Sequence, residues 1–251
     1  MNTNSLYSST FLRAFDIIDC FENDEEEIGI SEIASMINLP VSSVHRIIQS
    51  LEFEGLLIQN PENKKYGLGT RFLALSHQCS RMERFRKAAV KYIDALARIT
   101  KETVNLSICT CDQIQHVYKV DSSYVLRPNF SLFTPFPAHN TSVGRVFLAE
   151  MNDASIRWVW EKNKEEISQT QDEFLNMLHQ VKAQGFALDD QDFNKGLRCC
   201  GAPVRLSGGN ILFAISISGP AARISDSVYK DFQKLVVEYA QRISDAVQAL
   251  E

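Results

Sequence analysis

Long apolar runs are missing from this sequence of 251 residues. No stretch approaches the roughly 20 consecutive apolar residues of a membrane-spanning helix, so we expect no membrane partner. The first residues, Met1-Asn2-Thr3-Asn4-Ser5, also lack the basic and then apolar build of a secretory signal. Both absences predict a protein of the cytoplasm.

The six cysteines lack the spacing of a disulfide framework. No CxxC pair occurs among Cys20, Cys79, Cys109, Cys111, Cys199 and Cys200. In a reducing cytoplasm, cysteine mostly serves as a small core side chain. A metal site that combines the last four cysteines with a histidine is an alternative, because thiolates suit zinc, but the usual ligand spacing is missing.

Basic residues are scarce in the N-terminal part of the chain. Residues 1–70 contain four Lys or Arg against eleven Asp or Glu, a formal charge of −7. Most DNA-binding domains are basic, because neutralising phosphates supplies much of their affinity. Five of the eleven acids crowd residues 22–27, ahead of the motif described next, where they could face away from DNA.

Two short helices around a tight turn are predicted within residues 30–51. Ser31 is a candidate N-cap of the first helix, and the turn falls at Asn38-Leu39. Apolar residues of the second helix recur at helical spacing, at Val44, Ile47, Ile48 and Leu51. The outward positions are then polar and suit a recognition helix in a major groove: Ser42, Ser43, His45, Arg46 and Gln49.

A β-hairpin is predicted directly after this helix pair. Gly55 ends the second helix, residues 56–59 and 65–68 form the strands, and residues 60–63 form the turn. Lys64 and Lys65 lie at the tip, where we expect them to contact phosphates. With an earlier helix near residues 9–21, this order predicts a winged helix-turn-helix DNA-binding domain over residues 5–70.

Residues 71–100 are compatible with one continuous helix, because they contain neither Gly nor Pro. Residues 71–91 carry six basic residues and one acid, which makes this stretch the basic part of the chain. We place a linker helix at residues 71–83 and a second domain at residues 84–251. Its succession of strands, helices, paired strands and a closing helix from Asp226 to Leu250 predicts an α+β sensor fold.

The last two strands of that domain allow a prediction of register. A two-residue loop at Gly208-Gly209 pairs residues whose numbers sum to 417. Cys199, Ser216 and Ser218 then share one mildly polar face, opposite an apolar one. A three-residue loop would change the pairing and mix polar and apolar residues on the same face. Alternatively, the small residues only make room for a covering helix.

The chain resembles the IclR family of transcriptional regulators over nearly its full length. The matching segments run from Ser42 to Leu56, Lys65 to Gly69, Gly144 to Ala149, Gly185 to Asp192, Gly196 to Cys199 and Ile215 to Pro220. The resemblance implies a winged helix-turn-helix, a linker helix and a GAF-like domain that binds a small organic effector. It places a carboxylate effector on Ser142, Val143, Asp189, Cys199, Ser216 and Ser218.

The sequence departs from the family pattern at four positions. Asp192 stands where Glu is usual, Cys200 replaces an aliphatic residue, and Arg205 replaces an aromatic one. Pro40 occupies a position that is often Ser, which affects the cap and one phosphate contact of the recognition helix.

These observations predict a DNA-binding transcriptional regulator, not an enzyme, that needs no cofactor. We expect a repressor of a catabolic operon, controlled by a small carboxylate such as a sugar acid or another hydroxy acid, in a cavity with small walls. An apolar stripe of Phe11, Phe15 and Ile18 predicts a homodimer or homotetramer. The alternatives are a small-molecule or metal sensor that binds a protein instead of DNA, and a thiol enzyme that uses Cys199 with His139 as base.

Overall fold

The computed structural model describes residues 9–21 and 27–251. The beginning of the predicted DNA-binding domain at residue 5 and most of the acidic run at residues 22–27 therefore lie outside the described residues. The chain divides into two compact units, Met1–Arg81 and Met82–Glu251.

The first unit has the winged helix-turn-helix order of elements. They are α1 Ser9–Ile18, α2 Ile30–Met36, α3 Val41–Phe53, β1 Leu57–Gln59, β2 Tyr66–Leu68 and α4 Arg71–Gln78. The apolar residues predicted to face inward on α3 are all buried. Ala34 of α2 is also buried and its carbonyl accepts a hydrogen bond from the Leu39 amide, which closes the turn between the two helices.

The predicted cap of α2 is wrong by two residues. The helix begins at Ile30 with Gly29 as its N-cap, so Ser31 lies inside the first turn. The Glu32 carboxylate accepts a hydrogen bond from the Gly29 amide at 2.7 Å and so satisfies the amide of the N-cap residue itself.

The predicted continuous helix over residues 71–100 is interrupted once. Helix α4 ends at Gln78, and Cys79 has a ψ of 21°, outside the helical range, with its amide bonded to the Ser76 carbonyl. Helix α5, Ser80–Thr100, follows at once. Neither Gly nor Pro causes this break, so the signals used for the prediction could not locate it.

The second unit is built on a six-stranded antiparallel sheet in the order β5-β4-β3-β8-β7-β6. Its strands are β3 Thr103–Thr110, β4 Gln113–Val120, β5 Pro135–Pro137, β6 Ala187–Asp190, β7 Leu197–Arg205 and β8 Ile211–Pro220. Its further helices are α6 Ser142–Leu148, α7 Asp153–Asn163, α8 Gln171–Gln184 and α9 Asp226–Gln248.

Helices cover both faces of this sheet. Side chains of α5 and α9 pack on one face in a large apolar core. Side chains of α6, α7 and α8 form a second core on the other face, together with Ile114, Ala187 and Ala214 of the sheet. The α+β class with a GAF-like second domain is therefore confirmed.

The register predicted for the last hairpin is confirmed, although the loop is not the one expected. Cys199 pairs with Ser218 and Gly201 with Ser216, as the sum of 417 requires. The Leu206 amide, however, bonds to the Asn210 carbonyl, which leaves a three-residue loop with Gly209 at φ 82°. A bulge between Val204 and Arg205 restores the register, so the polar and the apolar residues remain on opposite faces.

Candidate functional site

The polar face of the last hairpin extends across neighbouring strands. Cys199 of β7 stands between its partners Ser218 of β8 and Asp189 of β6. Ser216 lies two residues before Ser218 and therefore on the same face. All four residues are buried, with at most 6% of their surface exposed. The sheet therefore holds four polar or thiol side chains in one row beneath α6.

Strand β3 continues this row with two residues that the sequence analysis did not single out. Asn105 pairs with Ser216, and its Nδ2 donates to the hydroxyl oxygens of Ser216 at 3.2 Å and Ser218 at 3.4 Å. Ser107 pairs with His116 of β4, and its Oγ lies 2.8 Å from the His116 Nδ1. The row therefore spans five strands, from β4 to β6.

The beginning of α6 lies close above this row. Thr141 caps the helix by accepting the Gly144 amide. A Cβ at Gly144 would overlap the backbone of Ala138, so only glycine fits there. A Cβ at Gly201 would lie 3.1 Å from the Val143 nitrogen, so the missing side chain lets the first turn approach β7. The residues Ser142 and Val143 are thereby held over the sheet.

A small cavity with an accessible volume of about 20 Å³ lies between α6 and the polar row, so a bound organic acid must push the lining side chains apart. We call this space the sheet cavity. All six residues that the family resemblance implied are among its lining residues, which are Ile114, His116, Phe130, Phe136, Thr141, Ser142, Val143, Asp189, Phe193, Cys199, Ser216 and Ser218.

Aromatic rings form one side of the sheet cavity, so the expectation of small walls is wrong. The His116 ring lies 5.2 Å from Phe130 and 5.4 Å from Phe136, measured between centroids. Phe193 completes the cluster at 5.7 Å from Phe136. Phe130 and Phe193 belong to loops outside the sheet, and local sequence patterns do not indicate where such loops fold.

Asp189 contributes a buried carboxyl group to the lining of the cavity. Its side chain is 1% exposed, and Oδ1 accepts the amides of Asp192 at 2.8 Å and Phe193 at 3.2 Å. Oδ2 is buried without a hydrogen-bond partner. Burial raises the pKa of Asp189 to about 6, although the two amides and Arg145 act in the opposite direction. The cavity thus contains an acceptor that lacks a donor.

The predicted DNA-contacting residues lie on the surface of the first unit. Ser42, His45, Arg46 and Gln49 are exposed on α3, and Ser43 is half-buried. At the hairpin tip, Lys64 is exposed, whereas the Lys65 ammonium lies 3.6 Å from the Glu32 carboxylate.

Glu27, one of the acids predicted ahead of the helix pair, packs against the hairpin turn. Its carboxylate accepts hydrogen bonds from the side-chain amides of Asn60 and Asn63. This acid therefore orders the wing.

Comparisons with known proteins agree with this architecture. The model of the IclR helix-turn-helix domain matches residues 10–61, and the model of the bacterial transcriptional regulator IclR C-terminal domain matches residues 77–245. The chain belongs to the IclR family of transcriptional regulators.

Relatives match this IclR-family chain over most of their length. The HTH-type transcriptional regulator KdgR of Escherichia coli is 28% identical over 94% of this chain and 91% of its own. XynR of the same organism is 25% identical over 94% of this chain and 95% of its own.

Solved structures show the same fold. An IclR regulator from Silicibacter sp. TM1040 has a TM-score of 0.79 at 17% identity and covers 96% of both chains. An IclR homologue from Microbacterium hydrocarbonoxydans, in complex with 4-hydroxybenzoate, has a TM-score of 0.77 at 18% identity, over 96% of this chain and 100% of that one.

The structure does not assemble the thiol enzyme considered as an alternative. Cys199 is buried, and burial together with Asp189 raises the pKa of its thiol, so it is a poor nucleophile. His139 lines a separate polar cleft with Arg145, Glu166 and Asp192 and is not among the lining residues of the sheet cavity.

No metal site or membrane span occurs in the described part of this IclR-family chain. Residues 9–21 and 27–251 hold no group of three or more His, Cys, Asp or Glu placed to bind a metal ion. Across the same residues, no helix is both long and apolar enough to cross a membrane.

The two tryptophans of α7 lie in different surroundings. Trp160 is partly buried and donates to the Gln169 carbonyl, whereas Trp158 is 53% exposed.

Proposed function

We propose that this regulator is a repressor of a catabolic operon in the cytoplasm, and that a small hydroxylated carboxylate bound in the sheet cavity controls it. The observation that carries the proposal is a buried cavity with amide donors and hydroxyls on one side and the unpartnered Asp189 Oδ2 on another. Two E. coli relatives, YiaJ and IclR, are named repressors, at 25% and 22% identity.

The beginning of α6 supports an anionic ligand. Amides in the first turn of a helix have no intrahelical acceptor and carry partial positive charge, so they favour a carboxylate. Ser142 and Val143 supply these amides, and the hydroxyls of Ser216 and Ser218 are further donors on the cavity floor. The set suits one carboxylate group of a compact molecule.

Asp189 supports a hydroxyl on that molecule. A ligand hydroxyl would donate to the Oδ2 atom and supply the missing hydrogen bond, whereas an unsubstituted acid would leave the buried acceptor unsatisfied. The solved neighbour that holds 4-hydroxybenzoate indicates that this fold can enclose a hydroxylated carboxylate. We therefore favour a sugar acid or another hydroxy acid over a plain fatty acid.

On the DNA side, we propose that α3 enters a major groove with Ser42, Ser43, His45, Arg46 and Gln49 toward the bases. Lys64 and Lys65 contact phosphates from the wing, and Lys65 then exchanges its 3.6 Å pairing with Glu32 for a phosphate. Helix α1 supports a dimer, because Phe11 and Phe15 are 62% and 49% exposed and contact each other at 5.0 Å between ring centroids. A twofold dimer would double the weak phosphate contacts of one acidic unit.

Two assays test this function. A gel shift with DNA from upstream of the chain's own gene should show specific binding, and binding of a protein partner but not DNA would support the sensor alternative. Calorimetry should then compare hydroxy, keto and unsubstituted acids on the wild type and Asp189→Ala. Tight binding of unsubstituted acids, with no gain from a hydroxyl and no loss in Asp189→Ala, would contradict the proposed effector class.

A further inference from the structure

His116 stands at the β4 end of the polar row, whereas Asp189 stands at its β6 end. Gly201, which lies under Val143, belongs to β7, and Asp189 belongs to the adjacent strand β6. His116 belongs to β4, three strands from β7 on the other side. A ligand whose carboxylate lies at the beginning of α6 would therefore extend toward His116 with its other end.

The His116 ring is fixed in place. Ser107 holds its Nδ1 at 2.8 Å, and Phe130 and Phe136 pack against the ring. The side chain is 5% exposed and lines the cavity. With Nδ1 engaged, Nε2 is the ring nitrogen available to a ligand. A hydroxyl both donates and accepts, so it satisfies Nε2 in either neutral tautomer.

A second ligand carboxylate would be disfavoured at this end. The residues that line the cavity include neither Lys nor Arg. The nearby Arg145 already donates to the carbonyls of His139 and Leu188 and pairs with Asp192. A carboxylate among these aromatic rings would lose its hydration without gaining a cation, which is costly.

The imidazole does not easily become that cation. Burial, with a smaller effect of Lys119, lowers the pKa of His116 to about 4. Protonating it at pH 7 is therefore disfavoured by about a thousandfold.

We infer that His116 is a specificity-determining residue of the sheet cavity, which binds a neutral hydroxyl at the end of the effector remote from its carboxylate and thereby excludes dicarboxylates. This inference rests on the proposed function, because it assumes that a carboxylate binds at the beginning of α6. It adds a second hydroxyl contact besides the one proposed at Asp189, an orientation of the ligand and a limit of one negative charge.

The test compares acids that differ only in the group at their far end. Calorimetry on the full chain at pH 7.5 would use three sets: 4-hydroxybutyrate, butyrate and succinate; 6-hydroxyhexanoate, hexanoate and adipate; and 4-hydroxybenzoate, benzoate and terephthalate. In the set whose length fits, the hydroxy acid should bind at least tenfold tighter than the unsubstituted acid and at least a hundredfold tighter than the dicarboxylate.

Three variants separate recognition from folding. His116→Phe keeps a ring but removes both nitrogens, and Ser107→Ala removes only the hydroxyl that fixes the ring. Both variants should weaken binding of the hydroxy acid about three- to tenfold, since one hydrogen bond is lost. Binding of the unsubstituted acid should stay unchanged. The control Phe193→Leu changes a cavity ring that packs on Phe130 and Phe136. This side chain has no hydrogen-bonding atom, so the change should affect the binding of both acids equally.

Two results would overturn the inference. One is a dicarboxylate that binds as tightly as its hydroxy partner. The other is an unchanged preference for the hydroxyl in a folded Ser107→Ala or His116→Phe protein. If none of the nine acids binds, the proposed function fails as well, and this outcome differs from a loss of specificity alone.

Discussion

Replacing Asp189 with Asn should stabilise the second unit near neutral pH while it perturbs the cavity. The wild-type carboxyl is buried, and its pKa is raised to about 6 from 3.8. A raised pKa means that the acid contributes its full stability below pH 3.8 and that this stability is lost as the pH rises through 6. The cost at high pH is about 3 kcal/mol. Asparagine has no charge to bury and avoids this cost.

The side-chain amide of the introduced asparagine also fits the hydrogen bonds already present. Its oxygen can accept the amides of Asp192 and Phe193, which bond to Oδ1 in the wild type. Its nitrogen would replace the unpartnered Oδ2, and an unsatisfied buried donor costs about 1–3 kcal/mol. That second cost does not depend on pH. The stabilisation by Asp189→Asn should therefore be about 2 kcal/mol larger at pH 7.5 than at pH 4.5.

Urea unfolding at the two pH values measures this difference. Trp158 and Trp160 both lie on α7, so tryptophan fluorescence reports on the second unit alone. Asp190→Asn is the matched control, because Arg198 donates to this carboxylate at 2.8 Å and lowers its pKa. The stabilising effect of this carboxylate is lost only below the ordinary pKa of 3.8, so Asp190→Asn should destabilise the protein about equally at pH 7.5 and pH 4.5. Equal effects of Asp189→Asn at both pH values, or a larger gain at pH 4.5, would refute the reasoning.

Three further predictions concern DNA binding, assembly and packing. At fixed salt, Arg46→Ala should weaken specific operator binding by about 1–3 kcal/mol. Lys64→Ala should instead weaken binding to all DNA sequences alike and flatten the salt dependence of binding. An unchanged operator affinity in Arg46→Ala would show that α3 does not read bases at this residue. Replacing both Phe11 and Phe15 with Ser should lower the mass of the oligomer measured by light scattering. A wild-type protein that is monomeric at micromolar concentration would exclude the interface. Gly144→Ala should destabilise the second unit by about 1–3 kcal/mol in thermal unfolding, because its Cβ would overlap Ala138.

The sequence predicted the parts of the fold that depend on local periodicity. The inward face of α3, the wing and the closing helix follow from the spacing of apolar residues and from turn residues. The hairpin register was also correct for a physical reason, because only one register keeps all apolar residues on one face. The loop type was wrong, since the bulge between Val204 and Arg205 compensates for the extra loop residue.

Two members of the polar row, Asn105 and Ser107, could not be found from local patterns. Asn105 and Ser107 alternate with apolar residues on β3, a pattern equally typical of a strand with one face in water. Their burial follows from the position of β3 beside β8, more than a hundred residues away in sequence, and from α6 above. The aromatic side of the cavity depends on Phe130 and Phe193, two loop residues that no periodicity connects.

The central claim is that a small hydroxy acid in the sheet cavity changes the affinity of the chain for its operator. Fluorescence anisotropy of labelled upstream DNA, titrated with protein at fixed salt with and without each acid, measures this coupling. At least one hydroxylated monocarboxylate should change the operator Kd by about tenfold or more, a typical coupling of 1–3 kcal/mol. The same acid should have little effect on a folded Ser218→Ala variant that retains operator binding. An acid that binds the wild type in calorimetry but leaves its operator Kd unchanged would contradict the account.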